Sequence, residues 1–134
     1  MTTSIQQDEL ATELQELYLK SKQWISELDF QGDDLTFLKR LFGINCPLLI
    51  MHNEFDKITN VMIEAARIEE NQSRIRQEIS DFMATLATLI KKPDPVIGTS
   101  LIQCYNQIET DLNQNSNTYQ TLKKHVFLYA SEPA

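Results

Sequence analysis

VMIEAARIEENQSRIRQEISDFMATLATL, residues 61–89, is the stretch that decides the fold. Val61, Ala65, Ile68, Gln72, Ile75, Ile79, Phe82, Leu86 and Leu89 succeed one another at intervals of four and three residues without a slip. A half-buried strand would alternate every second residue. A four-three alternation instead lines one face of a helix and forms a seam that a neighbouring helix can fill. Outward from this stretch, the pattern predicts a helix over 47–92. Lys91 and Lys92 suit the negative end of its dipole, and Pro93-Asp94-Pro95 stops it.

The same alternation recurs on both sides. Leu10, Leu14, Leu17, Ser21, Trp24, Leu28, Gln31, Leu35, Leu38 and Phe42 mark a helix over about 5–42. Ser4 and Gln7 form a capping box at its start, beside Asp8 and Glu9. Gly43 is expected to end it, with a tight turn over 44–47. Leu101, Tyr105, Ile108, Leu112, Asn115, Tyr119, Leu122, Val126 and Tyr129 mark a third helix over about 97–130. Residues 113–118 are poor helix formers, but the unbroken register predicts a continuous helix. The fold class is all-α, an antiparallel up-down-up bundle of three long helices. A break at Gly32 would add a fourth, short helix.

Composition agrees with this reading. The 134 residues suit one domain, and only 3 Gly and 4 Pro leave few places to turn. The net charge is −7, with 12 basic residues scattered among 19 acidic ones, so a phosphate-binding face for nucleic acid is not expected, nor an anionic membrane partner. The N-terminus lacks the basic and apolar regions of a secretory signal. Cys46 and Cys104 lack CxxC spacing and read as reduced thiols, which predicts a cytoplasmic protein. Cys46 is expected at one turn of the bundle and Cys104 near the other, too far apart for a disulfide.

Trp24-Ile-Ser-Glu-Leu-Asp-Phe30, followed by Asp34-Leu-Thr-Phe-Leu-Lys-Arg-Leu41, resembles a family of short, uncharacterised, all-helical bacterial proteins with the pattern Trp-x3-Leu-x-Phe-x3-acid-x2-Phe-Leu-x2-Leu. The likeness covers the first third of the chain and implies a long-helix bundle. It implies no activity, cofactor or site residue. Gly32 and Asp33 depart from the pattern.

Residue types that carry chemistry do not assemble into a signature. A ferritin-like metal site needs Glu-x-x-His, but Leu49 and Leu122 stand three residues before His52 and His125. His52, Glu54 and Asp56 are two apart and do not share a helical face. Asp29, Asp33 and Asp34 around Gly32 lack EF-hand spacing and read as a solvated face, with Asp33 or Asp34 capping any helix that restarts there. No Gly-rich loop cradles phosphate, and neither cysteine has a histidine nearby in sequence. No cofactor, metal or catalytic residue is assigned, and the chain is expected not to be an enzyme. Trp24, Phe30 and Phe37 read as core or seam.

Two features point toward use. Ser21, Gln72 and Asn115 interrupt the three seams, and counting from the expected turns places them in one polar core layer that fixes register. The expected turn at 44–47 would also leave 48–56 and the facing part of helix one beyond the end of helix three. That two-helix tip carries Leu35, Phe37, Leu38, Leu41 and Phe42 against Leu48, Leu49, Ile50, Met51 and Phe55, more apolar surface than two helices bury between them. The sequence therefore predicts a scaffold or interaction module that self-associates as a homodimer or meets another helical protein. The alternatives are a helix over 33–42 folded back across the tip, and a small-ligand or metal-responsive bundle with its site in the polar layer.

Overall fold

The structure, a computed structural model, describes residues 2–91 and 98–131. Three helices account for nearly all of them: α1 Thr2–Met51, α2 Phe55–Lys91 and α3 Gly98–Ser131. Each packs against the other two, in the up-down-up order that the seams predict. The predicted stop at Pro93-Asp94-Pro95 lies outside the described residues, but Lys91 does occupy the last turn of α2.

The boundaries of α1 differ from the expected ones. It begins at Thr2, so Ser4 and Gln7 lie within the helix and not at its entrance. It runs through Gly32 without a break, and the Thr36 hydroxyl donates to the Gly32 carbonyl at 3.0 Å. No helix over 33–42 folds back, and Asp33 and Asp34 cap nothing. Asp34 instead meets Lys123 of α3 at 3.4 Å. The helix also runs through Gly43, Cys46 and Pro47. Pro47 cannot donate to the carbonyl four residues back, and its ring crowds that carbonyl. The residue four back is Gly43, the most adaptable choice, and both positions are exposed, so the freed carbonyl meets water. Gly43 and Pro47 are local signals for a stop. They lose to packing: Leu49 is buried and Cys46 packs on the core, so continuing the helix adds another seam layer.

The turn falls at 52–54, and its chemistry is legible in hindsight. Asn53 has φ 57°, the only non-glycine residue among those described in the left-handed region. The Asn53 amide donates to the Ile50 carbonyl and the Glu54 amide to the Leu49 carbonyl, the two bonds of a Schellman cap. The Glu54 carbonyl then accepts from Ile58, which opens α2.

Register follows from cross-helix pairs. Asp29 meets Arg76, Lys39 meets Glu69, and the Trp24 ring meets Phe82, so α1 and α2 run antiparallel. Arg74 meets Asp111, Glu64 faces His125, and Lys57 sits over the Tyr129 ring, so α3 runs back along the whole of α2. Because Tyr129 reaches the level of Lys57, no two-helix tip projects beyond α3. The expected tip came from assigning 48–51 to the second helix, when they complete the first.

The core is in two parts. An upper cluster, toward the 52–54 turn, contains Leu35, Leu38, Phe42, Leu49, Val61, Ile68, Leu122 and Val126. A lower cluster contains Leu14, Trp24, Leu28, Ile75, Ile79, Phe82, Leu86 and Ile108. Helix α3 is continuous through 113–118, as its register predicts, with the Thr118 hydroxyl returning to the Gln114 carbonyl.

Candidate interaction surface

The ten residues of the expected interface do not form one surface. Leu35, Leu38, Phe42 and Leu49 are core residues of their own chain, and Leu41 is half-buried against them. Phe37, Leu48, Ile50, Met51 and Phe55 are exposed. These five surround the upper end on different faces. Ile50 lies on the flank of α1 nearer α2, whereas Phe37 and Leu48 lie on the flank nearer α3, where Asp34 meets Lys123.

A second seam emerges from this sorting. Phe37, Leu41, Ile44, Leu48 and Met51 follow the four-three rule one residue before Leu38, Phe42, Asn45, Leu49 and His52. The inner seam faces the core. The outer one faces away from it, with Ile44 at 76% and Met51 at 74% exposure. Phe127 of α3 is exposed one turn beyond Lys123 and borders the same stripe. Ile44 and Phe127 were missed by sequence reading. The spacing signal for Ile44 was available, but Gly43 and Pro47 concealed it by suggesting a turn.

The surface of the upper end is indented between α1 and α2. A groove of about 270 Å³ between α1 and α2 is lined by Lys39, Phe42, Cys46, Met62 and Ala66, and its floor is apolar core. A second groove of about 420 Å³ lies between α2 and α3 at the opposite end, beside Asp81, Ser100, Cys104 and Gln107.

The polar interruptions of the seams sort differently from expectation. Gln72 and Asn115 share a level, between the Arg74–Asp111 and Glu64–His125 pairs. Ser21 does not join them. It lies a turn below Trp24, opposite about residue 85 of α2, so about 20 Å of helix separates it from Gln72. The longer α1 shifts that helix's register against the count made from a turn at 44–47. The Ser21 hydroxyl is satisfied by its own helix, donating to the Leu17 carbonyl at 2.8 Å. The half-buried Gln31 is the polar residue of the α1 seam between the two clusters, about a turn below the Gln72 level, and Gly32 and Asp33 share a shallow recess with Gln72, Ser73 and Arg76. Gln31, Gln72 and Asn115 thus stand where the upper cluster gives way to the lower. Asn115 is buried, and neither atom of its amide has a hydrogen-bond partner in the protein.

Just below this level the acids gather. Glu78 of α2 and the buried Asp111 of α3 approach one another, with Arg74 3.3 Å from Glu78 and 3.5 Å from Asp111. Burial pushes the Glu78 carboxyl up, and its hydrogen bond and charge contact with Asp111 push the same way, against the pull of Arg74. Gln107 donates to the other Asp111 oxygen at 2.9 Å. Arg74 bridges the two acids across the α2–α3 contact, while Glu78 Oε2 and Asp111 Oδ2 are buried with no other hydrogen-bond partner in the protein.

Among the described residues no group of three or more His, Cys, Asp or Glu side chains is placed to hold a metal ion. His52 and Asp56 are exposed at the turn, and Glu54 there pairs with Lys57 at 3.6 Å. No described helix is long and apolar enough to cross a membrane. No family model, curated protein or solved structure matches this chain.

Proposed function

We propose that this chain is a non-enzymatic helical interaction module that self-associates through the upper half of its bundle. One observation carries the reading. Among the described residues, Phe37, Ile44, Leu48, Ile50, Met51, Phe55, Met62, Ile63, Phe127 and Leu128 are large, apolar and exposed in the upper half. In the lower half only Leu19, Phe30 and Ile102 are. Scattered apolar side chains are ordinary on a soluble surface, but ten gathered at one end of a small bundle mark a surface meant for burial. The chain's own helices are already packed, so the partner must come from outside. The ligand-site alternative has less to rest on, since Asn115 lines none of the recesses described above.

Sedimentation of the purified chain tests the reading. At high micromolar concentration it should show twice the 15.5 kDa chain mass. Ile44→Glu combined with Met51→Glu alters only exposed positions and should yield a monomer with unchanged helix content. Leu41 and Ile50 are less suited to a disrupting charge, because Leu41 also supports the core and Ile50 lies on another face. A wild-type monomer at that concentration would falsify self-association.

A further inference from the structure

We infer that the partner is a second copy of this chain laid antiparallel along α1, with Ile44 of one protomer against Leu48 of the other. The inference rests on the self-association reading and specifies its geometry. A four-three stripe is the pattern that another helix with the same stripe fills, and a two-fold pairing brings the identical stripe to meet it.

The extent of the stripe fixes direction. It is apolar from Phe37 to Met51, about 21 Å of helix. Continued toward the N-terminus, the same face reads Asp34, Phe30, Glu27, Gln23 and Lys20. A parallel, in-register pair would align the charged residues of this face with their own copies, placing Asp34 beside Asp34 and Glu27 beside Glu27. An antiparallel pair with its axis near residue 46 overlaps only the apolar part. Leu41 then faces Met51 and Ile44 faces Leu48, while Phe37 passes the end of the partner's α1 and the lower halves point away from each other.

Charge supports the same direction. The last turn of α1 contains no basic residue, so its terminal carbonyls lack a cation of their own. The antiparallel pairing brings Arg40 of the partner beside that turn, where a positive charge is favoured. Like charges opposite themselves, as in the parallel pair, oppose association.

The area reaches the lower end for a specific interface. Phe37, Ile44, Leu48, Met51 and Phe127 are each 44–76% exposed. At roughly 100 Å² apiece they offer roughly 500 Å² per protomer, before Leu41 and any polar rim, against ~800 Å² per partner in a standard stable interface.

The test is a distance measured on the full chain. Cys46→Ala and Cys104→Ser remove the native thiols, and Asp33→Cys carries one spin label per protomer. Sedimentation of the labelled protein reports mass, and pulsed dipolar spectroscopy reports separation. Twice the chain mass with a label separation near 40 Å, twice the 13 residues from the axis at ~1.5 Å each, is the expected result. Twice the mass with labels within about 20 Å, or with any separation far from 40 Å, overturns the antiparallel geometry and leaves self-association standing. Monomer mass for both labelled and wild-type chains overturns the two together and assigns the stripe to a different helical protein.

Discussion

The two halves of the bundle obey the same packing rule and differ in what they show to water. In the lower half Trp24 lies 5.0 Å from Tyr105 and 6.2 Å from Phe82, ring centre to ring centre, inside a shell of leucine and isoleucine. Outside that shell, the large apolar side chains exposed among the described residues are Leu19, Phe30 and Ile102. In the upper half an equally continuous core, from Leu35 to Leu49 on α1, is enclosed by a surface that carries ten further large apolar side chains. The lower half shows what three such helices need in order to fold. The apolar surplus of the upper half is therefore not a requirement of folding, and it must be explained by something that covers it.

Breaking the comparison at its strongest point means removing a core aromatic. Trp24→Ala should cost about 3–5 kcal/mol of stability, because Phe82 and Tyr105 lose their shared neighbour and cannot fill its volume. Phe37→Ala, on the upper surface, should cost under about 1 kcal/mol in the isolated chain, as surface changes do. Denaturant unfolding at low concentration measures both. A Phe37 effect as large as the Trp24 effect would make the outer seam part of the monomer's core.

The border between the halves offers a smaller effect of opposite sign. Asn115→Leu replaces a buried, unpartnered amide and joins the two clusters. It should raise stability by about 1–3 kcal/mol, the penalty such an amide carries. The expected accompaniment is weaker specification of helix register, read as broadened side-chain NMR signals. A loss of stability on this substitution would show that the amide contributes to the fold as it stands.

The smallest effect belongs to Gly32 on the same border. A Cβ added there would meet nothing within 4 Å. Gly32→Ala should therefore stabilise α1 by about 0.5–1 kcal/mol through backbone entropy and nothing else. Destabilisation would mean that close approach at this point, and not tolerance of a flexible residue, explains the glycine.

Helix number, order and direction were legible in the sequence because the seams of all three helices keep an unbroken four-three register, even across the helix-poor 113–118. The end of α1 was not. Gly43 and Pro47 are strong local punctuation, and only the tertiary gain from burying Leu49 and Cys46 overrides them. That single boundary had two consequences. It moved Ser21 out of the level of Gln72 and Asn115, and it turned an imagined two-helix tip into a three-helix end with a second seam on its surface. The level shared by Gln72 and Asn115 followed from the α2–α3 register alone, which the misplaced turn did not touch. Phe127 had no sequence signal, because its place beside the stripe depends on how α1 and α3 meet.

The two thiols give the chain its own clock. Cys46 lines the upper groove, where burial pushes its thiol up and holds back the thiolate that alkylating reagents attack. Cys104 lies exposed on the opposite half. Its labelling proceeds whether or not the bundle opens, whereas that of the half-buried Cys46 is slower and quickens when α1 parts from α2. The ratio of the two rates in one sample thus counts openings of the upper half, with the lower half as internal standard.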